Sequence, residues 1–367
     1  MPGNSFGKLF SITSFGESHG AAIGVVVDGC PAGMPLSEAD LQAELDLRKP
    51  GQSAVSSPRR EGDRAEILSG VFEGKTLGTP IAILVRNEGA KSGDYEKIKR
   101  VFRPGHADFG FFSKFGLRDF RGGGRSSGRE TIARVAAGAI AKKLLSRAGV
   151  KIIGRVVEAA GVKEKPLEIS DKNYSQTVAA VRSSIVRCAD QIAGKKMVSE
   201  IEKARAVGDS TGGVVEVAAI GVPAGLGEPV FGKLDAEIAC SLMGIGSVKG
   251  VEIGAGFSAS RMRGSENNDS FFAKNGKIAT KTNNHGGILG GISSGMPIVA
   301  RIAVKPTSSI AKTQNTVGEG LEEAEISVLG RHDPNICPRI VPVAEAMLAL
   351  VLVDAMMLQG KIPRSLV

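Results

Sequence analysis

The stretch GESHGAAIGVVVDGCPAG, residues 16–33, occurs again in altered form as GDSTGGVVEVAAIGVPAG, residues 208–225. Both copies begin with G-[ED]-S-x-G and reach a G-x-P-A-G motif at the same offset. The β-branched run between the two motifs is typical of a strand. In the first copy Leu41 and Leu45 then lie four residues apart, which indicates an amphipathic helix. We therefore expect each copy to supply a strand and a helix to one fold.

The agreement between the two copies continues downstream in the same order. A Gly-x-Pro-Ile motif precedes a strand-like run at 78–81 and again at 295–298. A short motif of Arg, His and Asp follows, as RPGHAD at 103–108 and as GRHDP at 330–334. Five features in one order, counting the helix that comes next, argue against chance.

The repeat also divides the chain. The last shared helix begins near Gly128 in the first copy and near Pro342 in the second. Because no low-complexity linker separates the copies, we expect a single domain over 1–367, of class α/β (α+β), with a site at the junction of its halves. The expected parts are a first half at about 7–150, an insertion at about 151–205 and a second half at about 206–358.

Composition indicates a soluble globular protein. Hydrophobic residues make up 42% of the chain and charged residues 23%. The first twenty residues have no continuous apolar core, which is not typical of a signal peptide. The apolar tract AMLALVLV, 346–353, is too short to span a bilayer. The four cysteines form no C-x-x-C pair, so we expect a reducing, cytoplasmic location.

The formal net charge of +9 indicates an anionic partner. Nucleic acid, an acidic membrane and an anionic small molecule all fit that charge. Aromatic residues make up only 4% of the chain, with no Trp and two Tyr. Because binding of single strands depends on aromatic stacking, the composition favours a small molecule over nucleic acid.

The segment RGGGRSSGRE, residues 121–130, combines arginines with glycines just before a helix pattern. Glycines let backbone amides approach a ligand closely, and the free N–H groups of a helix start attract anions. Arg125 and Arg129 can each hold a phosphate or a carboxylate at two points. Ser127 and Glu130 match the S-x-x-E capping box. We expect an anion site here; the alternative is a surface loop with solvated arginines.

Three of the four histidines lie in short motifs flanked by glycine and charged residues, namely His19, His106 and His332. A histidine titrates near neutral pH and can move protons, so these are candidates for acid–base chemistry, with a structural role as the alternative. Metal binding is a rival hypothesis, but no H-x-x-H or H-E-x-x-H spacing supports it. We therefore predict no metal site.

The segment KPTSS, residues 305–309, follows the strand-like run IVARIAV. A cation with three hydroxyls at a strand end suits a phosphate, such as that of a mononucleotide cofactor, although Ser and Thr clusters also form turns.

Two segments come close to known nucleotide-binding motifs but do not match them. GVFEGKT, 70–76, is one residue short of a P-loop, and GIGSVKG, 244–250, lacks the third glycine of a Rossmann motif.

Seven motifs together resemble those of the chorismate synthase family, in its order from residue 7 to about 355. They are GESHG, RPGHAD, RGGGRSSGRE, GVPAGLGEPVF, GGILGGISSG, KPTSS and GRHDP. Only 151–205 and the last residues lack such a match. The resemblance implies a β-α-β sandwich with an internal pseudo-twofold repeat, assembled as a homotetramer.

The resemblance also implies an activity. The family converts 5-enolpyruvylshikimate 3-phosphate into chorismate and phosphate by a trans 1,4-elimination, the last common step of aromatic amino acid biosynthesis in the shikimate pathway. It needs reduced FMN although no net oxidation occurs. Nothing in the sequence resembles a nicotinamide domain, so NADPH would act only indirectly, through an external flavin reductase. The substrate carries a phosphate and two carboxylates, and burying it would require cationic partners.

By the same resemblance, three residues are catalytic. His19 would protonate the departing phosphate, His106 would protonate or stabilise the reduced flavin, and Asp333 would assist the flavin in removing the ring proton. The positions that match flavin contacts are Arg125, Ser126, Ser127, Gly246, Ser247, Gly290, Lys305, Pro306, Thr307, Ser308, Ser309 and Arg331, and those that match substrate contacts are Ser18, Arg48, Arg103 and Arg129.

The sequence departs from the family pattern at three places. Many bacterial relatives carry an arginine where this chain has Ala54, so either a substrate contact is missing or Arg59 or Arg60 replaces it. The pair 246–247 is often Asn-Ala in relatives. His285 matches no family position that we can assign.

Two other classes of function stay open at this level. A flavin- or anion-binding module without catalysis would lack the paired histidines and Asp333. A nucleic-acid-binding protein would spread its basic residues along one face, whereas here they gather at glycine-rich motifs.

Overall fold

The computed structural model describes residues 3–51, 61–88, 99–274, 276–328 and 332–367. The strands are β1 (Ser5–Phe6), β2 (Ser11–Gly16), β3 (Ala22–Asp28), β4 (Ala65–Ile67), β5 (Val71–Phe72), β6 (Lys75–Thr76), β7 (Ile81–Arg86), β8 (Lys151–Ala159), β9 (Val162–Lys163), β10 (Gly213–Ile220), β11 (Val248–Ile253), β12 (Phe271–Lys274), β13 (Lys277–Thr280), β14 (Ile288–Leu289), β15 (Ile292–Ser293), β16 (Ile298–Val304), β17 (Gln314–Val317) and β18 (Glu323–Ile326). The α-helices are α1 (Glu38–Arg48), α2 (Asp108–Phe115), α3 (Thr131–Arg147), α4 (Tyr174–Ser183), α5 (Gln191–Ala206), α6 (Leu234–Met243), α7 (Gly264–Asn267) and α8 (Cys337–Leu358).

Two five-stranded sheets form the frame of the protein, with strand orders β1-β2-β3-β7-β4 and β9-β8-β10-β16-β11. The strand pairs within both sheets are antiparallel. In β3 the side chains of Ile23, Val25 and Val27 are all buried, because alternate residues of a strand point to the same face. The strands predicted for both copies of the repeat are therefore confirmed, as β3 and β10.

Helices fill the space between the sheets. Helix α3 packs on the first sheet, α8 packs on the second sheet, and the two helices pack on each other. Helix α1 lies beside α3, and α6 lies beside α8. This order of sheet, helices and sheet confirms the predicted β-α-β sandwich.

The strand order shows where the second half begins. Strand β8 pairs with β10 as β2 pairs with β3, so the four-strand order β2-β3-β7-β4 recurs as β8-β10-β16-β11. We therefore propose that the second half starts at Lys151, and not at about residue 206. The connection from β8 to β10, residues 160–212, then carries β9, α4 and α5, whereas β2 and β3 are joined by only the five residues 17–21.

One continuous hydrophobic core supports the proposal of a single domain. It contains Val25 of the first sheet, Val217 and Ala300 of the second sheet, and Ile140 and Leu348 of the helices between them. Because a sheet buries its apolar face against another layer, each half uses the helices of the other half to complete its core.

Helix α8 is much longer than the apolar tract that marks it in the sequence. It spans 22 residues, and by length and composition alone it could cross a membrane. However, 89% of its most apolar window is buried inside the protein. It is therefore the central core helix, and its hydrophobicity reflects contact with neighbours on all sides.

A glycine sets the distance between α3 and α8. A Cβ atom at Gly138 would lie 2.3 Å from the Cβ of Ala346 and 2.7 Å from its Cα. Gly138→Ala is expected to lower the free energy of unfolding by about 1–3 kcal/mol, because the helices must move apart. Urea denaturation measures this. The matched control is Gly110→Ala in α2, where a Cβ would meet nothing within 4 Å; there alanine should raise stability by up to about 1 kcal/mol. Equal effects at both positions would contradict this account.

Candidate active site

The segment 121–130 forms a tight loop that leads into α3. Gly122, Gly123 and Gly124 have φ angles of 65°, 89° and 54°, a region that side-chain-bearing residues rarely adopt. Two short 3-10 turns, Gly124–Ser126 and Gly128–Glu130, then lead to Thr131. The predicted loop before a helix is confirmed.

The predicted capping box is wrong. The hydroxyl of Ser127 accepts a hydrogen bond from the backbone N–H of Arg129, at 3.3 Å, because the 3-10 turn brings that group closest. The carboxylate of Glu130 instead pairs with Arg134, at 3.0 Å, one helical turn further on.

The glycine loop lies between two of the candidate histidines. A Cβ atom at Gly122 would lie 2.3 Å from Cε1 of His19, and one at Gly123 would lie 2.9 Å from Cε1 of His106. Glycine is required at both positions because any side chain would collide with an imidazole. The fold thus brings GESHG, RPGHAD and RGGGR, which are far apart in sequence, into contact.

His19 is held in a buried, hydrogen-bonded loop and is 7% exposed. Its Nδ1 lies 3.2 Å from the hydroxyl of Ser18, and that hydroxyl also donates to the carbonyl of Arg121, at 3.4 Å. The side-chain amide of Asn87 donates to the carbonyls of Glu17 and Gly20, at 2.9 and 2.8 Å. These contacts fix the imidazole against the glycine loop.

His106 is joined to a buried ion pair. Its Nδ1 lies 2.8 Å from Oδ1 of Asp108, and Arg103 pairs with the same carboxylate, at 2.7 Å. Burial alone would raise the pKa of Asp108. Hydrogen bonds from Arg103 and His106 nevertheless hold the pKa of Asp108 well below its ordinary value. Burial lowers the pKa of His106, and the positive charges of Arg103 and Lys305 add to this effect. The hydrogen bond and the negative charge of Asp108 raise the same pKa but do not outweigh burial. The imidazole is therefore neutral at neutral pH.

The lowered pKa of His106 predicts a pH dependence of stability. Below its ordinary pKa of 6.5, the unfolded chain binds a proton at this residue while the folded protein does not. Stability therefore falls as the pH drops from about 6.5 towards the folded-state pKa. Urea unfolding between pH 5 and pH 8 should show a shallower acid-side loss for His106→Asn than for the unchanged protein. Identical pH profiles for the two proteins would refute this prediction.

Two arginines predicted to bind substrate belong to a buried cluster. Nη2 of Arg48 lies 2.9 Å from Oδ2 of Asp63, and Nη1 of Arg129 lies 2.9 Å from Oδ1 of the same residue. Arg129 also contacts Glu61, and its Nε donates to the side-chain oxygen of Asn87, at 2.6 Å. Burial lowers the pKa of Arg48 to about 10, with Arg339 adding to the effect and Asp63 opposing it. Sequence reasoning missed Glu61, Asp63 and Asn87, and the acidic pair around Gly62 is the signal that could have found the first two.

Asp333 is connected to this cluster. It is 7% exposed and pairs with Nη1 of Arg339, at 2.5 Å. Nε of Arg339 donates to the backbone carbonyl of Arg48, at 3.3 Å. Through Arg339, the second Arg-His-Asp motif is therefore connected to Arg48 in the arginine cluster of the first half. Arg331, like Ala54, Arg59 and Arg60, lies outside the described residues.

A cavity of about 860 Å³ opens beside the glycine loop, between α3, α6 and α8. Its volume is in the range of small-molecule and cofactor sites, roughly 300–1,000 Å³. The predicted site residues that line it are Arg48, His106, Arg125, Ser126, Ser127, Gly246, Ser247, Lys305 and Ser308. Those that the structure describes but does not place in the lining are Ser18, His19, Arg103, Arg129, Gly290, Pro306, Thr307, Ser309 and Asp333.

The cavity is suited to an anion. Arg125 donates to Asn4, Ser14 and Gly16, and Lys305 donates to the carbonyl of Gly105. Among the described residues neither cation forms an ion pair with a carboxylate. Within the same ranges no cluster of three or more His, Cys, Asp or Glu side chains could hold a metal ion.

Comparisons with known proteins identify the family of the chain. The family model described as chorismate synthase matches residues 10–357. The chain is 59% identical to the chorismate synthase of Methanosarcina mazei over 100% of both chains. It is 60% identical to that of Methanocella arvoryzae, over 99% of this chain and 96% of the relative. A solved structure titled "Crystal Structure of Chorismate Synthase" superposes with a TM-score of 0.76 at 35% identity, covering 96% of this chain and 93% of that one. The family model, the full-length relatives and the fold together show that the chain belongs to the chorismate synthase family, the carbon–oxygen lyases that form chorismate in aromatic amino acid biosynthesis.

Proposed function

We propose that the chain eliminates phosphate from 5-enolpyruvylshikimate 3-phosphate in a trans 1,4 sense to give chorismate, with reduced FMN bound in the cavity beside the glycine loop. The observation that carries this proposal is that one glycine loop holds both histidines, with His19 against Gly122 and His106 against Gly123. A buried arginine cluster lies next to this loop. An elimination of this kind needs an acid at the leaving group and an acceptor for a ring proton. In this proposal His19 is the acid, and Asp333, which lies beside the arginine cluster, assists in removing the ring proton.

The cavity fits a flavin mononucleotide. A phosphate needs cations and hydroxyl donors, and Arg125, Ser126, Lys305 and Ser308 supply them from two walls. A flat ring system needs free space beside the backbone. Such space exists at Gly246, where a Cβ atom would meet nothing within 4 Å. When bound, the reduced flavin supplies an electron-rich ring that assists loss of phosphate without being consumed. Ser127 and Ser247 complete the proposed flavin site.

The proposed substrate site adjoins the flavin site. Arg48 and Arg129 present guanidinium groups that suit carboxylate or phosphate oxygens. The substrate has three such groups, and a single unpaired anion would be costly at this depth. Ser18 and Arg103 are the other proposed substrate contacts, although Arg103 points its guanidinium at Asp108.

The proposed catalytic roles follow from the surroundings of each side chain. His19 can donate a proton to a departing phosphate, with Ser18 at its Nδ1 fixing the ring. Neutral His106 acts by hydrogen bonding, because its lowered pKa disfavours a permanent cation. Asp333 is held by Arg339 close to Arg48, where it assists in removing the ring proton.

Further proposals concern assembly and supply. We propose a cytoplasmic homotetramer that receives reduced flavin from an external, NADPH-dependent reductase. The tetramer is proposed from the family resemblance. Gly290, in the turn between β14 and β15, and residues 306, 307, 309 and 331 remain proposed flavin contacts.

An anaerobic assay tests the function. Chemically reduced FMN and 5-enolpyruvylshikimate 3-phosphate are mixed with the protein, and phosphate, chorismate and flavin absorbance are followed together. We expect many equivalents of phosphate and chorismate for each flavin, with the flavin still reduced at the end. Oxidation of one flavin for each chorismate, or no product at all, would rule out the proposed reaction.

A further inference from the structure

Two carboxylates contact Arg129, and their surroundings differ. Nη1 of Arg129 contacts both Glu61 and Asp63. The side chain of Asp63 is 0% exposed and that of Glu61 is 11% exposed. The two residues are separated only by Gly62, so one short segment brings two negative charges to one guanidinium.

Asp63 is built as a bridge. One of its oxygens faces Arg129 and the other faces Arg48, each at 2.9 Å. Its backbone has a φ angle of 45°, a conformation that is uncommon outside glycine but is tolerated by Asp. Because a single buried carboxylate joins both arginines, it sets the distance and the relative orientation of their guanidinium groups.

Glu61 is placed differently. It contacts Arg129 at the same nitrogen as Asp63, and of these two carboxylates Asp63 is the one that pairs with Arg48 within the described residues. Buried charges are costly unless they are balanced, and Asp63 is shared between two guanidinium groups, so a second carboxylate further stabilises Arg129 in the absence of an anionic ligand. An incoming carboxylate or phosphate would seek the same N–H group.

We propose that Asp63 is a positioning residue for Arg48 and Arg129, and that Glu61 is an internal counter-ion that the substrate's anionic group displaces from Nη1 of Arg129. This inference rests on the proposed function, because it takes Arg129 as a substrate contact. Asp63 stays in place in both states, whereas Glu61 competes with the ligand.

Changing the carboxylate to an amide should have opposite effects on substrate affinity at Asp63 and at Glu61. Asp63→Asn removes the bridging charge and turns an acceptor into a donor that faces an arginine. Substrate affinity should fall by at least about tenfold, as when one member of a buried charge pair is lost. Glu61→Gln removes a competitor, so affinity should rise by about two- to fivefold, the scale of a weak ion pair.

The experiment is a calorimetric titration of 5-enolpyruvylshikimate 3-phosphate into the protein with oxidised FMN, which does not support turnover. Glu66→Gln is the matched control, because Glu66 forms an exposed ion pair with Arg86, at 3.0 Å, and its loss changes the net charge equally. We expect no change of affinity for this control. FMN affinity should be unchanged in Glu61→Gln and Glu66→Gln, and in Asp63→Asn it should fall much less than substrate affinity, because Arg48 also lines the cavity. Under turnover, KM should fall for Glu61→Gln and rise for Asp63→Asn.

The outcomes separate the inference from the function on which it rests. If the unchanged protein binds substrate but Glu61→Gln weakens binding, the inference is overturned and the proposed function stands. A gain for Glu66→Gln equal to that for Glu61→Gln also overturns it, since net charge alone would then explain the change. Parallel losses of FMN and substrate affinity in Asp63→Asn would mark a merely structural role. If the unchanged protein does not bind the substrate, the proposed function itself fails. Should Asp63→Asn not fold, the sign of the Glu61→Gln effect still decides.

Discussion

Replacing His19 with alanine should lower turnover by about 10²- to 10⁴-fold, the usual contribution of a positioned general acid. The imidazole is buried, lies against the glycine loop and is oriented by Ser18. Without it, phosphate must leave without a proton donor at that position. FMN should still bind, because His19 does not line the cavity. Single-turnover phosphate release and flavin titration measure the two quantities separately.

The second copy of the repeat supplies the control for this experiment. The loop GDSTG places Thr211 where GESHG has His19. The N–H of Thr211 donates to Pro334, at 2.8 Å, just before α8, and the N–H of Ser18 donates to Gly124, at 3.4 Å, ahead of α3. Thr211→Ala loses the hydrogen bond from Asn335, which should cost about 1 kcal/mol of stability and little turnover. The assignment is wrong if Thr211→Ala damages turnover as severely as His19→Ala.

Replacing Arg129 with alanine should weaken substrate binding by about 30-fold or more, the range for loss of one partner of a buried charge pair. The guanidinium is held by Asp63 and Asn87 at one end of the proposed substrate site. Its loss removes a ligand contact and, among the described residues, leaves Arg48 as the partner of the Asp63 carboxylate. FMN affinity should change little, since Arg129 is absent from the cavity lining.

Calorimetry with substrate measures the Arg129→Ala effect, and Arg86→Ala is the control. Arg86 forms an exposed ion pair with Glu66 on the first sheet, so its loss lowers the positive charge equally without touching the cluster. Unchanged substrate affinity in Arg129→Ala, or an equal loss in Arg86→Ala, would contradict the role assigned to Arg129.

The sequence predicted those features that depend on local patterns or on the repeat. The strands β3 and β10 and the glycine loop were predicted in this way, whereas the layered fold was expected from the family resemblance. The position of β8 was not, because its connection to β10 is far longer than the connection between β2 and β3 and hides the correspondence. The capping box at Ser127 failed because a 3-10 turn precedes α3.

In the arginine cluster, sequence motifs predicted the arginines but not the residues that hold them. Arg48 and Arg129 could be named from the family resemblance, but the residues that orient them could not. Asp63 and Asn87 lie in no motif that carries chemistry, and only the tertiary fold brings them to Arg129. The acidic pair around Gly62 could have drawn attention to Asp63, but a bridging carboxylate has no fixed sequence spacing from its arginines, so the bridge itself could not be predicted.

The most direct test of the whole account is the structure of the protein with both FMN and 5-enolpyruvylshikimate 3-phosphate. We predict FMN in the cavity of about 860 Å³, in contact with Arg125 and Lys305, and substrate between His19 and the guanidinium groups of Arg48 and Arg129. FMN in a second cavity, of about 700 Å³ beside Lys142 and Tyr174, or substrate bound away from His19, would contradict the account.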